Sequence, residues 1–239
     1  MNEHIGSIIG NYELDKSIGG ASVVWRAHQL KTNDLVVIKR NNPERFLDIN
    51  SPTEMANNSI EYELALLKYG AHKGVCEALD LVKRSKYSWL VLKDYGNTSI
   101  ADIDNIDDVG PTLMNIAEGI SHLHDLSIIH GDITPAHMID GCLIDFDSAF
   151  QHKIWEYFDM STPKGATPGY IPPKYDESNP QSRYDVFGFC RSAFEAFQRI
   201  GSISDYSEIE KVIRAGMSED IDNLPTMNEI KTVFERTFS

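Results

Sequence analysis

Cysteine is scarce in this chain: Cys76, Cys142 and Cys190 are the only three among 239 residues. Odd in number and far apart, they supply neither a disulfide framework nor a zinc knuckle, and reduced, partly buried thiols are expected. Positive charge is short as well. Lys and Arg number 22 against 36 Asp and Glu, a formal net charge of −14. That balance repels phosphate backbones and argues against nucleic-acid binding, while it suits a basic protein partner or an anion bridged by a cation. No apolar run reaches the ~20 residues of a membrane helix. The opening "MNEHIGSIIGNYELDK" is too short and too polar for a secretory leader. No membrane partner, a cytosolic setting and a monomer are therefore expected, and repeats are absent. What is present is ordinary for a folded domain: 41% hydrophobic and 24% charged residues, enough chain for one large domain or two small lobes.

The first ninety-odd residues alternate β-rich runs, "VVWRA", "DLVVIK" and "SWLVLKDY", around one helical segment. "SPTE" at 51–54 reads as its capping box, with Ser51 as N-cap, Pro52 at the first helical position and Glu54 three residues on. Gly70 is a natural stop. Ile60, Leu64 and Leu67 form the apolar face, and at helical spacing Glu63 falls on that face while Glu61 does not. After about residue 96 the pattern changes to longer helices. One begins at Pro111 and carries Leu113, Ile116, Ala117, Ile120 and Leu123; another, from about Tyr184 to Ile200, is apolar nearly all round. A last helix from Thr226 has its own capping box with Glu229. The acidic "NTSIADIDNIDDVG" at 97–110 reads as a loose linker, its Asp102, Asp104, Asp107 and Asp108 as a solvated face.

One stretch stands out. "IIHGDITPAHMIDGCLIDFDSAF", residues 128–150, places Asp132 and Asp145 among apolar residues. A buried carboxylate costs several kcal/mol unless it is paired, so such acids hold a cation or move a proton. His122 and His124 lie at a helix end and His130 just ahead of Asp132, where packing is a simpler role than a metal cluster.

Taken with its neighbours, this stretch resembles the catalytic core of a protein-kinase domain, and the likeness runs from about Tyr12 to the C-terminus. "VVIK" at 36–39 is similar to the V-A-I-K motif, "HGDITPAH" at 130–137 to H-R-D-L-x-x-x-N, and "DFD" at 145–147 to D-F-G. "GATPGYIPPK" at 165–174 resembles the end of an activation segment, and "DVFGF" at 185–189 the start of a central helix. The resemblance implies an α+β, bilobal, eukaryotic-like Ser/Thr protein kinase with a β-rich N-lobe at 1–95 and a helical, trimmed C-lobe at 96–239, the kinase domain proper running 12–239. It implies ATP and Mg2+ as cofactors, Mn2+ being compatible. Lys39 would contact the phosphates, Glu63 would hold Lys39, Asp145 would bind the metal, and Asp132 would orient the attacking hydroxyl and accept its proton. Gly19, Gly20, Ala21, Ser22, Val24, Val37, Leu92, Lys93, Asp94 and Tyr95 would line the nucleotide.

Several positions depart from the family pattern. In "SIGGASVV" at 17–24, Ser17, Gly19 and Ser22 take the three glycine positions of the phosphate loop, or else the loop is shortened. Gly131 replaces the arginine that binds an activation-loop phosphate, so a constitutively active enzyme is expected although Ser161, Thr162 and Thr167 are available. His137 replaces the second-metal asparagine, and imidazole suits zinc or manganese better than magnesium. Asp147 replaces the glycine of D-F-G, Thr134 a lysine typical of serine/threonine kinases. Lys174 and Leu224 replace both ends of a structural ion pair. Two other classes stay open: a pseudokinase that binds without turnover, and a small-molecule phosphotransferase of aminoglycoside or choline type, whose signatures "HGD" and "IDFD" also resemble. A secreted effector acting in a host cytosol is compatible with the same features.

Overall fold

A computed structural model of the chain describes residues 3–19, 22–158, 160, 166–201 and 203–238. Its contacts divide it into two units: residues 1–69, 77–94 and 153–160, and residues 70–76, 95–152 and 161–239.

The first unit is built on a six-stranded antiparallel sheet of β1 (Ile8–Ile9), β2 (Tyr12–Ser17), β3 (Val23–Gln29), β4 (Leu35–Arg40), β5 (Ala78–Arg84) and β6 (Tyr87–Lys93), in the order β1-β2-β3-β4-β6-β5. Register assigns its faces. Val24 lies opposite Lys39, Lys39 opposite Leu90, and Val37 opposite both Arg26 and Leu92. Since side chains alternate along a strand, these six share one face. The other face carries Trp25, Ala27, Val36, Ile38, Trp89 and Val91, which join Ile9, Tyr12 and Leu14 in a buried core. Val36 and Ile38 of "VVIK" and Trp89 and Val91 of "SWLVLK" thus fill one side, while Val37 stays with Lys39 on the other.

Helix α1 (Pro52–Tyr69) packs against β6, on the face that carries Lys39. It ends before Gly70, and the Met55 amide bonds the Ser51 carbonyl at 3.0 Å. Asn57 clips it to the sheet through the Ser88 amide and the Lys86 carbonyl, at 2.8 and 2.9 Å. Glu63 is buried at 1% exposure, whereas Glu61 turns to Lys83 and Ser88 at the rim.

In the second unit α2 (Ile106–Asp125) opens five residues before the start expected at Pro111, which lies inside it. Asn105 accounts for the earlier start: its side chain accepts the Asp108 amide at 2.9 Å, and Asp107 and Asp108 favour the positive end of the first turn. The stretch 97–110 is not a loose linker either. Ser99 and Asp102 cap a short 3-10 helix at Ile100–Asp102, Ile100 is fully buried, and Asp104 pairs with Arg199 at 2.8 Å. Arg199 also donates to the carbonyls of Ile100 and Ile103. These partners lie about a hundred residues apart in sequence, so no local pattern could reveal them.

The small hairpin of β7 (Met138–Ile139) and β8 (Cys142–Leu143) turns on Asp140 and Gly141, both at positive φ (47° and 75°), the backbone a two-residue Asp-Gly turn requires. Helix α3 (His152–Tyr157) follows, its residues from Lys153 on belonging to the first unit, where Trp155 and Phe158 meet Tyr62 of α1 edge to face. Helices α4 (Ser182–Ile200), α5 (Ser207–Gly216) and α6 (Met227–Phe238) pack with α2 around Ile116, Ile120, Phe189, Phe197, Ile213, Ile230 and Phe234, all fully buried. The three cysteines are buried thiols outside any disulfide, and burial pushes the Cys190 thiol up, which keeps it unreactive. Among the described residues no helix is long and apolar enough to cross a membrane.

Candidate active site

In the first unit Lys39 and Glu63 meet. The ammonium lies 3.1 Å from Glu63 Oε1, with side-chain exposures of 5% and 1%. Lys39 stands there because β4 alternation sends Ile38 to the core and Lys39 to the face under α1. Tyr62, the residue before Glu63, has Trp155 at 5.5 Å and Phe158 at 6.0 Å between ring centroids, so these two aromatic residues brace α1 at this turn.

Val24, Val37, Lys39 and Leu92 of the nucleotide set share one sheet face. Arg26, which the sequence did not single out, lies on it too and bonds Asp94 through both carboxylate oxygens, at 2.5 and 3.0 Å. Lys93 is exposed, its amide bonded to the Glu77 carbonyl, and Tyr95 falls in the second unit. Gly19 is exposed at the end of the described loop. Ser22 is buried, and its hydroxyl donates to Asn41 at 2.6 Å and accepts from Arg45 at 2.8 Å. That side chain therefore serves the loop's anchor. Gly20 and Ala21 lie outside the described residues, as do Ser161 and Thr162.

The second unit gathers Asp132, His137 and Asp145. Asp132 Oδ1 accepts from both the amide and the hydroxyl of Thr167, at 2.8 and 2.7 Å, while Oδ2 lies 3.6 Å from His137 Nδ1. His137 Nδ1 lies 2.7 Å from the Asp132 carbonyl, a contact that makes Nδ1 the N–H donor. In the neutral ring Nε2 then carries a lone pair, 3.6 Å from Asp145 Oδ2. A ring nitrogen anchored to a carbonyl with its other nitrogen free beside a carboxylate is how metal-binding histidines are oriented. Two such donors fit one divalent cation, and the mixed nitrogen and oxygen set suits manganese or zinc at least as well as magnesium. Asp145 sits at φ +62°, a conformation that side chains other than glycine rarely adopt and that clusters at functional positions.

A buried acid orders the loop that carries Asp132. Asp185, 1% exposed, accepts the amides of His130 and Gly131 at 2.8 Å each, and His124 Nε2 lies 2.9 Å from the same carboxylate. His130 is fully buried, its Nε2 bonded to the Ile144 carbonyl at 3.0 Å and its Nδ1 accepting the Asp132 amide. Burial holds its imidazole below the ordinary range, so it is a neutral support for the loop. Lys174 is exposed, and Arg183 bonds the Ile221 carbonyl and pairs with Asp222.

Sequence reasoning missed Arg26 and the roles of Asp185 and Thr167. Asp185 had a usable signal, an acid in the otherwise apolar "YDVFGFC". Thr167 and Arg26 had none, since their partners lie 35 and 68 residues away.

Residues 12–232 match the protein kinase domain family. Among curated relatives, the serine/threonine-protein kinase ste20 of Aspergillus fumigatus is 26% identical over 172 residues, covering 68% of this chain and 20% of that protein. The serine/threonine-protein kinase pakA of Talaromyces marneffei is 25% identical over 172 residues, covering 68% and 26% respectively. Serine/threonine-protein kinase 1 of Arabidopsis thaliana is 26% identical over 137 residues, covering 54% and 16%. The matched stretch thus spans about a quarter or less of each relative. With its antiparallel sheet, its helical second unit and the family match over 12–232, the chain belongs to the protein kinase domain family.

Proposed function

We propose that the chain is an ATP-dependent protein kinase that phosphorylates serine or threonine hydroxyls of a protein substrate and needs no activating phosphorylation. The Lys39–Glu63 pair carries this reading. Burying two charges costs more in desolvation than their attraction returns unless the geometry serves something else, and apolar side chains would stabilise the fold as well. A lysine held buried by an acid, on a face shared with Val24, Val37 and Leu92, suits a phosphate ligand carried on a flat apolar base.

ATP supplies the phosphoryl group, and a divalent cation supplies charge neutralisation when bound. Lys39 contacts the phosphates, and Glu63 keeps its ammonium in place. Asp145 and His137 hold the cation, the imidazole favouring manganese over magnesium. Asp132 takes the proton of the acceptor hydroxyl at Oδ2, since Oδ1 is occupied by Thr167. Thr167 therefore acts as a positioning residue. Independence from phosphorylation is supported by Gly131, where the phosphate-receiving arginine is absent, and by the brace of Trp155 and Phe158 on Tyr62. The net charge of −14 favours a basic substrate.

The test is transfer of labelled phosphate from ATP to the purified protein and to a generic basic protein, with Mg2+ or Mn2+, for wild type and Asp145→Ala. Transfer that the substitution abolishes is expected. Nucleotide binding without any transfer would overturn the reading in favour of a binding module. Phosphate on an amino alcohol or antibiotic, but never on protein, would move it to the small-molecule class.

A further inference from the structure

At one end of the first unit's core face the apolar residues stop and cations begin. Arg40 follows Ile38 on β4, and Arg84 stands opposite Tyr87 on the β5–β6 hairpin, both on the side that carries Trp89. With Lys86, His4, Ser7 and Ser85 they line a cavity of about 690 Å3 whose wall is Tyr87, Trp89 and Ile9.

Arg40 is the built element of this cavity. It is 9% exposed, and its guanidinium lies over the rings of Tyr87 and Trp89, at 4.3 and 5.2 Å from their centroids. Nη1 reaches the Asn41 carbonyl at 3.3 Å and Nη2 the carboxylate of Glu3 at 3.1 Å, while the buried Nε has no hydrogen-bond partner among the described residues. A buried guanidinium with an unmet donor is costly, so the site is one acceptor short. Lys86 lies by the Tyr87 ring as well, its ammonium 5.3 Å from the centroid.

The charges define the ligand. Arg40, Arg84 and Lys86 face the single carboxylate of Glu3, leaving two positive charges in a chain that is otherwise strongly acidic. A phosphate monoester carries about two negative charges at neutral pH and several strong acceptor oxygens, and a planar guanidinium fork reads it in a bidentate manner. The volume is in the range of pockets for drug-sized ligands, far beyond a free phosphate ion. We infer that this cavity is a binding site for a phosphorylated serine or threonine on a peptide segment, with Glu3 as the resident carboxylate that the phosphate displaces. The site uses only residues of the first unit and none placed in the catalytic machinery, so it stands or falls apart from the proposed activity.

The experiment is calorimetric titration of the full chain with a peptide library of random flanks fixed on phosphoserine, with the same library carrying serine, and with inorganic phosphate. Arg40→Gln removes a buried group and could unfold the unit, so the variants are Arg84→Gln, Lys86→Gln and Glu3→Gln, all at the rim. Phosphoserine peptides should bind, the serine library should not, Arg84→Gln and Lys86→Gln should each weaken binding at least fivefold, and Glu3→Gln should tighten it at least threefold. Binding that ignores the phosphate, no binding at all, or binding unmoved by all three substitutions would overturn the inference. Binding of inorganic phosphate as tight as that of the peptides would overturn its assignment to a peptide.

Discussion

Gly131 stands where the backbone leaves no room for a side chain. Its φ is +81°, and a Cβ built there would stand 2.7 Å from the Ser148 carbonyl oxygen, which is backbone and has little room to move. A side chain at this position is therefore refused on two counts, by conformation and by contact. Gly201 has a similar φ of +74° with open space around it. Gly131→Ala should thus lose ~1–3 kcal/mol of stability in urea melts, and clearly more than Gly201→Ala; equal losses would refute the steric account. At this scale the acids were the most legible feature, because Asp132 and Asp145 interrupt an apolar run. Thr167 was legible only as a hydroxyl, since what it holds lies 35 residues away.

Elements were readable where their signals are local. The α6 capping box is one: Thr226 donates from both its amide and its hydroxyl to Glu229 Oε2, at 2.7 and 2.9 Å, and the hydroxyl accepts the Glu229 amide at 3.2 Å. These bonds hold the Glu229 carboxyl below the usual range. A carboxyl depressed in the folded state contributes stability above its unfolded value and loses it as pH falls through the folded one. Thr226→Ala should therefore cost ~1 kcal/mol near pH 7, and the difference from wild type should shrink on acidification. A difference that stays constant down to acid pH would show that Glu229 plays no part. The α2 start was misplaced for the opposite reason. Proline at a helix beginning is a strong local cue, but Asn105 supplies the cap upstream and the turn before Pro111 is already wound.

The two units interleave in sequence: residues 70–76 belong with the second, and 153–160 with the first. Charge is the property that acts across the whole chain. At −14, acids repel one another in any compact state, and ions screen that repulsion beyond a Debye length of ~10 Å at 0.1 M salt. Raising sodium chloride from ~0.02 M to ~0.5 M should raise the melting temperature. A fall would mean that the ion pairs, among them Arg26–Asp94 and Arg199–Asp104, outweigh the net repulsion.

The sequence by itself determined the family, the division into β-rich and helical parts, and the acids and lysine that stand in motif order, because motif spacing, strand alternation and helix periodicity are written within a few residues of each other. Only the tertiary structure decided which of these groups meet: that Glu63 receives Lys39, that Asp185 orders the loop of Asp132, that Thr167 takes Oδ1, and that Arg40 ends the core in a cationic cavity. Those contacts join residues tens of positions apart, and their energies depend on burial and direction, quantities that a chain acquires only when it folds.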